Sequence, residues 1–189
     1  MKLSFPNSSE IIANEDLTPT QSWFTYFQDI WKMLSGGLGI SIGGMLNINT
    51  TSANNTSTGA TDLISYSLAP FLKNNGDVLE IEAWGVYASN ANNKTITLNF
   101  GGQTILTTGA IAANAGSWNI KATIIRKTAT TQEIIASIIS SNSSVLESAT
   151  RTAGTQDLTT ALIIKCVGTG GATNDITQHA LKINLTPNI

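Results

Sequence analysis

The sequence predicts an all-β chain: an antiparallel, jelly-roll-like β-sandwich of about eight strands, preceded by one short N-terminal amphipathic helix. From residue 61 onward the apolar residues recur with a period of two, the signature of half-buried strands. Runs rich in β-branched residues fall at 63–69, 77–89, 94–107, 117–129, 133–140, 144–151, 158–167 and 177–186, with turn residues between them. The composition agrees: only 12% of residues are charged, against the ~25% usual for globular chains. Thr, Ser and Asn fill the gap, at 62 of 189 residues. Thr suits the pleated strand face, and Asn tolerates the positive φ of turns.

Three segments precede or make up this pattern. Residues 1–17 are polar and aperiodic, which reads as an arm that orders only against a partner. Thr18-Pro19-Thr20-Gln21 is a capping box, with Thr18 as N-cap, Pro19 at the first helical position and Gln21 reaching back from the third. Trp23, Phe24, Phe27, Ile30, Trp31 and Leu34 then form one apolar stripe at helical spacing, and Gly36-Gly37 ends it. A helix of about 15 residues is marginal alone, so its rings need a packing partner. Either it docks on its own domain, or it associates with copies of itself or a larger assembly. An interfacial membrane helix is disfavoured, because Lys32 is the one basic residue on the polar face. Residues 1–35 are thus read as arm and anchoring or oligomerisation helix, and 36–60 as a Gly/Asn/Thr-rich linker with one short strand near Ile40, Ile42, Leu46 and Ile48. Its glycines match neither G-x-G-x-x-G nor the Walker spacing, so no phosphate cradle is expected.

Residues 61–189 are the sandwich domain. Lys73-Asn74-Asn75-Gly76-Asp77 and Ser89-Asn90-Ala91-Asn92-Asn93-Lys94 are its clearest turns. Alternation sends Leu79, Ile81 and Ala83 inward against Glu80, Glu82 and Trp84, and Ile96, Leu98 and Phe100 inward against Thr95, Thr97 and Asn99. Likewise Trp118, Ile120, Ala122 and Ile124 oppose Asn119, Lys121 and Thr123. Two runs, 134–139 and 161–167, are apolar on both sides, and a neighbouring subunit is the simplest cover for their outer faces.

The pattern offers little chemistry. A net charge of -2 with 10 Lys+Arg lacks the footprint of a nucleic-acid binder. No signal-peptide pattern or apolar stretch of spanning length is visible, so membrane insertion is not expected and synthesis in a cytoplasm is. Cys166 is the one cysteine and reads as a small core hydrophobe. His179 is the one histidine, so a triad or a His-based metal site would have to pass through it. Alternation places it with Leu181, Ile183 and Leu185, facing the core or an interface. Asp62, Asp77, Asp157 and Asp175 read as turn residues, and no D-x-D-x-D cluster suggests Ca²⁺. Glu80 and Glu82 share a strand face about 7 Å apart at ~3.3 Å per residue, inside the range of an inverting glycosidase. An exposed polar face explains them as well. Trp84 beside them suits a subunit contact or, second, a sugar ring. No cofactor and no metal are expected.

The order of features resembles bacteriophage virion appendage proteins, the tail-fibre, tail-spike and capsid-decoration chains that carry a jelly-roll domain. The features are a polar arm, Pro19-Thr20-x-x-Trp23-Phe24-x-x-Phe27-x-x-Ile30-Trp31, a glycine-rich joint, and Thr61-Asp62-Leu63-Ile64-Ser65-Tyr66-Ser67-Leu68 running into Leu72-x-x-Asn75-Gly76-Asp77-x-Leu79-x-Ile81-x-Ala83-x-Gly85. The resemblance covers residues 18–189, is architectural, and carries over no individual functional residue. It implies a non-enzymatic homotrimer in the virion, with an N-terminal segment fixed to other virion proteins and a β domain that meets a host-surface glycan or the particle. The alternative is a carbohydrate-binding module or glycan-active enzyme using Trp84, Glu80 and Glu82.

Overall fold

A computed structural model describes residue 23 and residues 43–112, 114–141 and 146–188. Trp23 is helical and half-buried. The rest of the helix expected over 18–35, with Phe24, Phe27, Ile30, Trp31 and Leu34, lies outside the described residues, as does the polar arm.

The described chain is built of strands. In order they are β1 (Gly44–Asn49), β2 (Ala53–Asn54), β3 (Ala60–Leu68), β4 (Val78–Tyr87), β5 (Asn93–Phe100), β6 (Gln103–Thr107), β7 (Ile111–Ala112), β8 (Gly116–Arg126), β9 (Gln132–Ser141), β10 (Leu146–Gly154), β11 (Leu162–Thr169) and β12 (Ile176–Thr186). One sheet runs β1-β12-β4-β8-β9-β10, with β2 also on β12, and the other runs β3-β11-β5-β6, with β7 on β5. Each of these pairings is antiparallel. This is an antiparallel β-sandwich, and the alternation read from sequence sets its two faces. Leu79, Ile81 and Ala83 of β4, Ile96, Leu98 and Phe100 of β5, and Ile120 and Ile124 of β8 are buried in one core. Glu80 and Thr97, on the opposite faces, are exposed and half-buried respectively. Near the end of β4 Gly85 lies across from Trp118. A Cβ on Gly85 would come within 1.9 Å of the Thr177 carbonyl and 2.6 Å of the Trp118 ring, so the indole occupies the space a side chain would need.

Four local features depart from the sequence reading. The run 94–107 is two strands, because Gly101 adopts φ +59 and turns β5 back into β6. Part of the expected linker is sheet: β1 and β2 pair along β12, so the chain is bound to the sandwich from Gly44. A β-bulge between Gln178 and Ala180 in β12 inserts His179 as an extra residue and shifts the alternation by one. His179 is therefore exposed, with Nδ1 2.9 Å from Ser52 Oγ, while Leu181, Ile183 and Leu185 stay in the core. Asp62 belongs to β3 rather than to a turn, and it pairs with Lys165 across the strand boundary at 2.7 Å.

The register gives the sandwich two distinct ends. Gly44 pairs with Leu185 near the close of β12, so the chain enters beside its own C-terminal strand end. At this entry end Asp77 is buried and accepts main-chain N–H groups from Lys73, Asn74 and Asn188, which ties the β3–β4 loop to the tail. At the far end Ile176, Tyr87 and Gly116 come together as register partners. The β2–β3, β4–β5 and β11–β12 loops meet there.

Candidate functional site

The outer face of the larger sheet carries the side chains expected from sequence. Glu80, Glu82 and Trp84 project from β4 on the face away from the core. Cross-strand register places Lys182 of β12 and Lys121 of β8 directly opposite Glu82. Lys121 Nζ stands 3.5 Å from one carboxylate oxygen and Lys182 Nζ 3.8 Å from the other. Asn119 Nδ2 also donates to the carboxylate, at 3.4 Å. A depression of about 250 Å³ lies over this row, lined by Glu80, Glu82, Lys121, Thr123, Lys182 and Asn184. Sequence alternation already sent Lys121 and Thr123 outward. Lys182 and Asn184 follow from the alternation of Leu181, Ile183 and Leu185, but they were not singled out, because nothing local in the sequence shows that β12 lies beside β4.

Trp84 is half-buried, between Asn119 of β8 and Ala180 of β12 in the register. Ala180 is buried although it lies on the outer face. The indole is thus set into the sheet surface rather than standing clear of it. Apolar side chains flank the charged row. Met45 and Ile48 of β1, Val86 of β4, and Ile135 and Ile139 of β9 are exposed on this same face, the last two at 54% and 53%. The two-sided apolar character expected at 134–139 is therefore present. At 161–167 it is Ile163, 53% exposed, that carries it on the smaller sheet.

A second polar cluster joins the far-end loops, and sequence reading did not single it out. Asn55 closes the β2–β3 loop onto the start of β12: its N–H donates to the Ile176 carbonyl at 3.1 Å, and its Oδ1 accepts from the Ile176 N–H at 2.8 Å. Asp175 is fully buried and accepts from Asn90 Nδ2 at 2.6 Å, Asn92 Nδ2 at 3.0 Å and the Ala172 N–H at 2.8 Å. Lys94 is fully buried as well. Its Nζ donates to Asn90 Oδ1 at 2.8 Å and to the carbonyls of Asn90 and Asn92 at 3.0 and 3.1 Å. Burial pushes the Lys94 ammonium pKa down, with the Asp175 charge opposing. Burial would push the Asp175 carboxyl up, but hydrogen bonds from Asn90, Ala172 and Asn92 and the Lys94 charge outweigh it and hold it below its ordinary value. The visible signal was the Asn90-Ala91-Asn92-Asn93-Lys94 turn itself. The lysine folds back onto Asn90 and Asn92 within that turn, while the Asp175 charge that acts on it comes from 81 residues on in the chain.

Among the described residues no group of three or more His, Cys, Asp or Glu side chains is placed to hold a metal ion. No helix among them is long and apolar enough to cross a membrane. Compared with known protein families and with curated proteins, the chain matches none.

Proposed function

We propose that this chain is a homotrimeric bacteriophage virion structural protein without enzymatic activity. It is a fibre tip, an adaptor or a capsid-decoration protein whose N-terminal segment anchors or trimerises it. Its sandwich, of jelly-roll type, meets the host surface or the particle. The observation that carries this reading is the polarity of the domain. The arm and aromatic segment join at Gly44, beside the close of β12, while the Asn-rich loops around Asn55, Asn90, Asn92 and Asn174 lie at the opposite end. A domain held at one end presents the other, as an appendage must. Exposed apolar side chains concentrated on one sheet face suit subunit contacts. The strand order supports the jelly-roll assignment, since the chain crosses between sheets at β2–β3, β3–β4, β4–β5, β7–β8, β10–β11 and β11–β12.

The test is particle association. The full chain is expected to copurify with virions in multiples of three copies, and a chain lacking residues 1–35 is expected to fold but stay in the unbound fraction. Equal binding of both forms would contradict anchoring through the N-terminal segment. The second reading, glycan binding or hydrolysis at Trp84, Glu80 and Glu82, draws on the depression over those residues. Hydrolysis of any polysaccharide that is lost in Glu82→Gln would favour it.

A further inference from the structure

The far-end cluster aligns an amine, a carboxamide and a carboxylate in a single line of contacts. Lys94 Nζ lies 2.8 Å from Asn90 Oδ1, and Asn90 Nδ2 lies 2.6 Å from Asp175 Oδ1. We propose that Lys94 and Asn90 join in an intramolecular isopeptide bond, with Asp175 as the proton carrier.

Each participant is held for the step. The Asn90 and Asn92 carbonyls fix the amine, which places its nitrogen against the carboxamide without any conformational search. Asp175 fixes the carboxamide in the other direction. Only one orientation lets it accept from Lys94 and donate to Asp175, so its oxygen faces the nucleophile and its nitrogen faces the acid. Burial favours the neutral amine, the form that attacks. The carboxylate is anchored by Asn92 Nδ2 and the Ala172 N–H and keeps its place while protons move.

The chemistry balances without an oxidant or a co-reactant. Asp175 takes one proton from the Lys94 ammonium, and the freed Nζ lone pair attacks Asn90 Cγ. The Nζ–Cγ bond forms, and a proton from Nζ passes by way of Asp175 to the departing Nδ2. The Cγ–Nδ2 bond breaks, ammonia leaves, and it carries off the remaining proton as ammonium. Nothing is oxidised or reduced. A buried positive charge is replaced by a neutral amide, and residues 90 and 94 become covalently linked at the end of the domain away from the chain's entry.

Intact-mass measurement on the purified full-length chain decides the matter. The bond predicts a mass about 17 Da below that of the sequence, one ammonia. After tryptic digestion the same deficit should sit in a fragment spanning residues 74–121, because the acylated Lys94 is no longer a cleavage site. Lys94→Arg keeps the charge but removes the nucleophile and should restore the full mass, which separates the bond from cyclisation of an asparagine alone. Asn90→Asp should lose water in place of ammonia, a deficit of about 18 Da. Asp175→Asn keeps a hydrogen-bonding side chain but cannot carry the proton, and should accumulate the unlinked form. A wild-type chain of full sequence mass, cleaved after Lys94, would overturn the proposal and leave Lys94 as a permanent buried ammonium.

Discussion

Single residues fix this sandwich where no neighbour can give way. Gly85 is one. Its missing side chain is the space filled by Trp118 and approached by the Thr177 carbonyl, and main chain cannot move aside as a flexible side chain can. Gly85→Ala is expected to destabilise the fold by about 3 kcal/mol in chemical denaturation, the upper range for overpacking. Cys166 is another. Burial pushes its thiol up to about 12, with a hydrogen bond to Gln178 acting weakly the other way. At neutral pH it is an inert thiol inside the core. An aromatic disulfide reagent should leave it unmodified in the native protein and label it fully once the chain unfolds; rapid native labelling would mean that β11 opens locally. The inward position of Cys166 was legible from the apolar run in which it sits. The burial of Lys94 was not, because a lysine at a strand start ordinarily points to water, and the Asp175 charge that acts on it comes from a loop far along the sequence.

Strands and turns were legible to the extent that their period was unbroken. β4, β5 and β8 were placed with their correct faces because each keeps strict alternation. β12 does not. Ile176 and Leu181 both face the core although they are five positions apart, and only a bulge reconciles that odd spacing with a two-residue period. Deleting His179 should turn the bulge into plain pairing, with Gln178 opposite Gly85 next to Ala180 opposite Trp84, so every flanking side chain keeps its face. Gln178 should then keep the N–H of Ile64 that it accepts in the interior at 2.9 Å. The expected result is a chain that still melts cooperatively, and His179→Ala should stay within about 0.5 kcal/mol of wild type as an exposed substitution. The outer row of β9 makes a different prediction. Ile135→Thr with Ile139→Thr should leave monomer stability within about 1 kcal/mol, since both side chains face outward. Under the trimer reading the same double variant should dissociate at higher protein concentration than wild type.

At the scale of the molecule, the low charge and the surplus of Thr, Ser and Asn have a spatial arrangement. Thr and Asn line the outer strand faces, and Asn is drawn into the far-end loops, where Asn55, Asn90 and Asn92 bind buried main-chain and carboxylate groups. Much of the polar composition is therefore structural, holding loops together without charge. The entry of the chain at the other end was not legible, because it depends on β1 pairing with the last strand, a contact between opposite ends of the sequence. That pairing gives the domain its polarity, on which the reading as a three-fold appendage depends. The most direct test is light scattering on the full-length chain as it leaves a size-exclusion column. The account predicts about 60 kDa, three copies of a 19.9 kDa chain, falling when residues 1–35 are removed. A full-length chain that runs as a monomer, unchanged by that deletion, would contradict it.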